Sequence, residues 1–438
     1  MEGLIMTAQI LLSLSILVGL HELGHMLTAK LFGMRVEQFS IGFPPRIFGK
    51  KYGETLYSIG ALPLGGFVKI SGMVDESLDT KKLGEEPKEY EFRAKPAWQR
   101  LIVMLGGILV NVMTGVIIFV LMVYAYGDSY VPRDQVMKHG IVAYELGQEI
   151  GLETGDKIVA LNGKEYDKFS DLTSPEVLFG DSSYYTIERN GEKKKVTIPG
   201  NFVDKLSEEG NEKAFMNVRT PFAVKQVMKD SPAMAAGLQE GDEIVAVSGT
   251  SLQYFDQLQH LLAEHSGEQV ELGVFRNGNR QTIQAHVTEE GTLGFAADLK
   301  LDVAYQEYSL VQSIPEGIRR SFSTIAIQVM GFAKIFSGEL DARKSISSPI
   351  GIAKIFGGTW DWSRFWRLTG LLSMVLAFMN LLPIPALDGG HVMFILYEMV
   401  SGRKPSDSFL ENAQKVGMVL LLSLMTFAIF NDIFKALF

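Results

Sequence analysis

The sequence predicts a polytopic α-helical membrane protein with four transmembrane helices, a membrane-associated β-structure and two soluble α+β modules. Three observations carry this fold class. Four apolar runs, at 4–20, 101–126, 368–387 and 416–431, are long enough to consider as crossings of a ~30 Å hydrocarbon core. The segment 151–161 recurs almost unchanged at 237–247, which marks two copies of one module. Hydrophobic residues make up 47% of 438 residues and the mean hydropathy is +0.14, high for a soluble enzyme and low for a chain that is all membrane. A mixture of spans and soluble modules follows, with room for roughly two to four folding units.

Residues 1–31 form the first expected span, since the apolar pattern of 4–20 continues past a short polar segment to Leu27. It lacks the basic start and small-residue cleavage site of a signal peptide, so a retained anchor is expected. Residues 32–98 lie next to it. Between Val36 and Met73, apolar residues alternate with Gly and Pro, the pattern of short strands or hairpins. Residues 75–95 are charged and read as a surface loop. Residues 28–100 carry Lys30, Arg35, Arg46, Lys50, Lys51, Lys81, Lys82 and further basic residues, whereas the extreme N-terminus has none, so the positive-inside rule places this loop in the cytosol. The second span, 99–127, then leads outward into 128–363.

Within that outer segment, 128–218 and 219–300 each hold one copy of the repeat. Each copy continues into a turn (Asn162-Gly163, Ser248-Gly249), an expected helix (169–179, 255–265) and a hairpin signal (Asn190-Gly191, Asn277-Gly278). Residues 301–363 form a linker and an amphipathic helix, with Ile318, Phe322, Ile325, Val329, Phe332 and Phe336 on one stripe. That stripe suits the outer membrane surface, the underside of the soluble modules, or packing within the soluble part. The third span, 364–400, is broken late by Pro383 and Pro385, and the fourth occupies 411–438. Arg403 and Lys404 between them face the same side as the first basic loop, which makes the four-span arrangement self-consistent.

The net charge of -9 gives no electrostatic support to nucleic-acid binding. With no cysteine in the chain, disulfides and thiolate sites are excluded, and any metal must be held by His, Asp or Glu. His21-Glu22-Leu23-Gly24-His25 puts two imidazoles on one helix face, where they can share a zinc ion, with Glu22 placed to take a proton from a water on that metal. Three ionisable groups within five residues of an apolar span are costly in lipid unless they are paired or functional. A catalytic zinc needs a third protein ligand. Asp388 and His391, both after the proline break, compete for that place on chemistry alone.

Together the HELGH segment, the sequence from Asn380 through Pro383, Pro385, Leu387 and Asp388 to Gly390, and the strand Gly65-Gly66-Phe67-Val68-Lys69 resemble the site-2 protease family of intramembrane metalloproteases. The repeats resemble PDZ domains, and their placement between the second and third spans is similar to the bacterial RseP-type, sigma-E regulator branch. The resemblance implies a Zn2+ cofactor held by His21, His25 and Asp388, and Glu22 as the catalytic residue. It also implies substrate binding by Asn380 and by Gly65, Gly66, Phe67, Val68 and Lys69. The implied substrates are single-pass membrane proteins, such as anti-sigma factors or remnant signal peptides, trimmed first by an upstream site-1 protease. The implied location is the bacterial inner membrane, in contact with lipid, with the PDZ pair on the periplasmic side as a size filter and the active site towards the cytosol. The first copy lacks the lead-in that the second has in Ser231-Pro232-Ala233, which separates the two in peptide binding. A rival of another class is a catalytically silent scaffold whose PDZ domains bind envelope proteins. A transporter is disfavoured, since four spans without a repeat among them make a poor alternating-access frame.

Overall fold

The computed structural model describes residues 2–73, 86–180, 182–206, 215–338, 340 and 349–437. The charged residues 75–85, with Lys81 and Lys82, and linker residues 341–348 lie outside the described residues. The chain divides into two compact units: Met1–Asp128 with Glu307–Phe438, and Ser129–Gln306.

The first unit is built on α1 (Glu2–Leu31), the strands β1 (Val36–Tyr52) and β2 (Thr55–Ile70), and α2 (Ala97–Tyr126). After the second unit come α3 (Leu310–Ser337), α4 (Pro349–Phe356), α5 (Trp362–Leu381), α6 (Asp388–Ser401) and α7 (Asp407–Leu437). Among the described residues, α1 and α2 are long and apolar enough to cross a membrane. Leu109, Met113, Ile117 and Leu121 recur every four residues along α2 and are all exposed, a stripe suited to lipid. The third expected span is two helices. Pro383 and Pro385 end α5 at Leu381, and the chain turns before α6 begins at Asp388.

Small residues let the helices of this unit touch. A Cβ on Gly24 of α1 would lie 2.3 Å from the Gly106 carbonyl oxygen of α2, so the two backbones are in contact there. Ser373 of α5 donates to the Asn111 carbonyl of α2 at 2.7 Å, and Ser13 of α1 bonds Thr369 of α5 at 2.9 Å. Helix α3 also packs on α2, but with its apolar stripe turned outward. Ile318, Phe322, Val329 and Phe336 are exposed, while Ser313, Gly317, Ser321 and Thr324 are buried. Small and hydroxyl residues pack and apolar ones face out, the pattern of a helix bordered by lipid.

Register shifts fold the β1–β2 hairpin onto itself. Phe39 pairs with Val68 on one side and Tyr57 on the other, and Lys50 also pairs with Tyr57. Segment 66–70 thus forms one edge of the sheet.

The second unit holds two lobes, each with its own core. Leu152, Ile158, Tyr185 and Ile187 centre the first, and Leu238, Ile244, Leu272 and Val274 the second. The repeat has the same structural meaning in both. Asp156 and Asp242 are buried, each accepts a backbone N–H three residues earlier, and each pairs with an arginine on a later strand, Arg189 at 2.7 Å and Arg276 at 2.6 Å. The hairpins turn at Asn190-Gly191 and Asn277-Gly278, all with positive φ. The expected helix at 169–179 is instead a 3₁₀ turn at Phe169–Thr173 and a short helix at Pro175–Leu178, because Ser174 before the proline is extended. The second expected helix runs Phe255–Glu264.

Candidate metal centre

Two helical turns and one proline-broken turn bring the candidate site together. His21 and His25 lie one turn apart on α1, both buried, where α1 crosses α2. Asp388 opens α6, so its carboxylate sits at the positive end of that helix. Gly389 and Gly390 are needed behind it: a Cβ on Gly389 would lie 2.2 Å from the Leu382 carbonyl oxygen, and one on Gly390 2.5 Å from that of Ile384.

The three donor atoms converge. His21 Nε2 lies 3.0 Å from Asp388 Oδ2, His25 Nε2 lies 3.3 Å from the same oxygen, and the two nitrogens are 3.1 Å apart. Ligands about 2.0–2.1 Å from a tetrahedral zinc sit roughly 3.3–3.4 Å from one another, so this triangle fits one such ion with its fourth position open. Asp388 Oδ2 is buried and has no hydrogen-bond donor, which also fits an oxygen that faces a cation. Among the described residues, His21, His25 and Asp388 form the group able to hold a metal. His391, the competing candidate, lines the adjacent cavity and is not in that group.

Each imidazole is oriented by α2. His25 Nδ1 lies 2.8 Å from the Val103 carbonyl oxygen, which can only accept, so Nδ1 carries a proton and Nε2 is the nitrogen that a neutral imidazole would offer to a metal. His21 Nδ1 meets the side-chain amide of Asn111 at 3.2 Å. The other end of that amide, Oδ1, is buried without a partner. Exchanging the amide's two ends would give Oδ1 the Nδ1–H of a metal-facing His21 and remove the orphan. Sequence reading missed Asn111, although it is the lone side-chain amide in an uncharged run. Gly107, also missed, makes room for the pair: a Cβ there would lie 2.4 Å from His25 Nε2 and 2.6 Å from His21 Cε1.

A cavity of about 580 Å³ opens beside this group, lined among others by Glu22, Asn380, Gln414 and Met418. Gly65, Gly66, Phe67 and Val68 form part of its wall, whereas Lys69 pairs with Gln38 and does not line it. Glu22 lies against the sheet edge, where a Cβ on Gly66 would be 3.4 Å from its Cγ. Asn380 Nδ2 lies 3.3 Å from His21 Nε2.

The family model described as Peptidase family M50 matches residues 9–424. The chain belongs to peptidase family M50. This M50 chain is 28% identical to "Regulator of sigma E protease" of Haemophilus influenzae, over 97% of this chain and 98% of that one. It is 29% identical to a protein named "Putative zinc metalloprotease" in Treponema pallidum, over 96% and 97% of the two chains. A Fusobacterium nucleatum protein of the same description is also 29% identical, over 96% of each chain. The M50 chain is thus a membrane protein and a zinc metalloprotease with Zn2+ as its cofactor.

Proposed function

We propose that this M50 protease hydrolyses peptide bonds inside the membrane-spanning segments of single-pass proteins, with His21, His25 and Asp388 holding the zinc and Glu22 moving the proton. The convergence of the three donor atoms on one point beside Glu22 carries this reading.

Bound zinc supplies a Lewis acid that polarises the scissile carbonyl and acidifies water. Glu22, beside the metal group, takes the proton from the attacking water and delivers it to the amine nitrogen as the C–N bond breaks. Asn380 places an amide donor next to His21, where it binds substrate backbone. A helical substrate has its carbonyls in internal hydrogen bonds, so it must unwind before attack. The open 66–70 edge, with Gly65 to Val68 along the cavity, replaces those bonds by strand addition.

The wider reading is a four-span protein of the bacterial inner membrane. Its two repeat lobes are PDZ domains on the outer side that act as a size filter. Substrates are anti-sigma factors or remnant signal peptides already trimmed by a site-1 protease, and their release activates an envelope stress response. The H. influenzae relative's name supports the anti-sigma part.

Glu22→Gln tests the core of this. The amide cannot accept the proton, so purified variant should retain one zinc per chain and the wild-type melting temperature while cleavage of a membrane-segment peptide is abolished. Cleavage near the wild-type rate removes Glu22 from the reaction, and a wild-type chain without stoichiometric zinc removes the metal site.

A further inference from the structure

One wall of the cavity is explained neither by the metal group nor by the sheet edge. Gln414, on α7, lines the cavity and is only 2% exposed, yet its Oε1 has no hydrogen-bond partner. An orphaned buried amide carbonyl destabilises the fold, and a Leu or Met of similar volume would remove that cost. The position is fixed by close packing. A Cβ on Gly417, three residues on, would lie 2.6 Å from the Ala386 backbone nitrogen, so α7 is seated on the turn that leads to Asp388.

A side-chain amide offers one acceptor and a pair of donor hydrogens, and its complement is a peptide group's N–H and C=O. Strand addition leaves half of that chemistry unmet. A substrate strand on the 66–70 edge turns the N–H and C=O of alternate residues towards β2, and those of the intervening residues point away. In a membrane cavity these outward groups have no bulk water to bond. We propose that Gln414 binds the substrate backbone on the side away from β2, with Oε1 accepting the N–H of one substrate residue and Nε2 donating to the C=O of the same residue. This rests on the strand-addition reading above, and it gives the enzyme a subsite on α7 that holds the unwound substrate from its second side.

The test uses full-length zinc-loaded enzyme in detergent and a synthetic peptide spanning a membrane segment that it cleaves. Each amide except the scissile one is replaced in turn by an ester, which deletes a single N–H. In the wild type, one position of the parity facing away from β2 should lower kcat/KM about tenfold, the scale of one lost hydrogen bond in a buried site. In Gln414→Met that ester penalty should vanish and the all-amide peptide should be cut about tenfold more slowly, with zinc content unchanged and melting temperature unchanged or raised. A variant that matches the wild type on the all-amide peptide, or that keeps the same ester profile, overturns the proposal. If Gln414→Met does not fold, the wild-type ester scan decides: penalties confined to the β2-facing parity overturn it. Failure of the metal-site reading is distinct, because it appears as missing zinc or as cleavage by Glu22→Gln.

Discussion

Replacing Gly107 by Ala should strip the site of its metal while leaving the helices assembled. The added methyl would lie 2.4 Å from His25 Nε2, 2.6 Å from His21 Cε1 and 2.8 Å from His21 Nδ1. Ordinary carbon contacts begin near 3.4 Å, so the imidazoles must retreat by about 1 Å. A zinc–nitrogen bond of about 2.0–2.1 Å does not survive a shift of that size, and disturbing the support of one ligand alone weakens zinc binding about 10–100-fold. With both imidazoles displaced, the upper end of that range is expected. Gly115→Ala on the same helix is the control. Its methyl meets Met374 Sδ at 2.4 Å and Cγ at 2.8 Å, a comparable clash with a side chain that is no part of the metal group, so zinc should be retained. The assay is zinc per chain after dialysis against a graded series of chelator concentrations, with melting curves recorded on the metal-free proteins. Wild-type zinc affinity in Gly107→Ala would refute the placement of the two imidazoles against α2.

Asn111→Leu should lower zinc affinity about 10–100-fold by removing the partner of His21 Nδ1, whereas Asn111→Asp, which can only accept, should keep it; the same chelator series checks both. His139, in the first lobe, packs edge-on against Tyr254 of the second, and burial lowers its pKa, with Lys138 adding to the effect and Asp302 opposing it. The unfolded chain therefore binds the proton first, and the stability of the second unit should fall as pH drops through about 6.5 and below. Hydrogen exchange at the lobe junction should show this loss between neutral and acidic pH, and His139→Phe should flatten it. Excising residues 129–306 should let an untrimmed substrate be cut while sparing cleavage of a trimmed one. A short linker suffices, since Tyr308 Oη donates to Asp128 Oδ2 at 3.0 Å and holds the two ends together. Continued rejection of the untrimmed substrate by a folded, zinc-loaded variant removes the filter.

What was legible in the sequence is what local pattern encodes. The HELGH spacing fixes two imidazoles on one face of a helix whatever that helix packs against. Prolines 383 and 385 mark the break that frees Asp388, and the repeat marks two copies of one module, which fold as two lobes with a core each. The rest depends on which surfaces meet. Gly106 and Gly107 read as ordinary members of an apolar run until α1 is laid across them. Gln414 sits among Glu411, Asn412 and Lys415, so it reads as polar flank and not as a wall of the site. The periodicity of α3 marks a helix there, but the helix begins at Leu310, ahead of the stripe, and its buried face does not follow from the pattern. Beside lipid an apolar stripe gains little by turning inward, and packing selects Ser313, Gly317 and Ser321 instead.

These placements divide the work between elements in a way that kinetics can separate. Helix α2 contributes no side chain to the candidate metal group, yet it meets the second nitrogen of both imidazoles, through the Val103 carbonyl and the Asn111 amide, and it leaves space for them at Gly107. Bare polar ligands in a low-dielectric span are costly, so their outer partners must come from the neighbouring helix, and only glycine lets that helix approach closely enough. Changes in α2 therefore act on metal affinity first, and activity should return when zinc is raised to saturation. The β2 edge, Asn380 and Gln414 line the cavity beyond the ligand triangle. Changes there should leave zinc binding alone and lower kcat/KM at full metal occupancy. A variant of α2 that stays inactive when saturated with zinc, or one of β2 rescued by zinc, would show that the metal group and the substrate cleft are not supported separately.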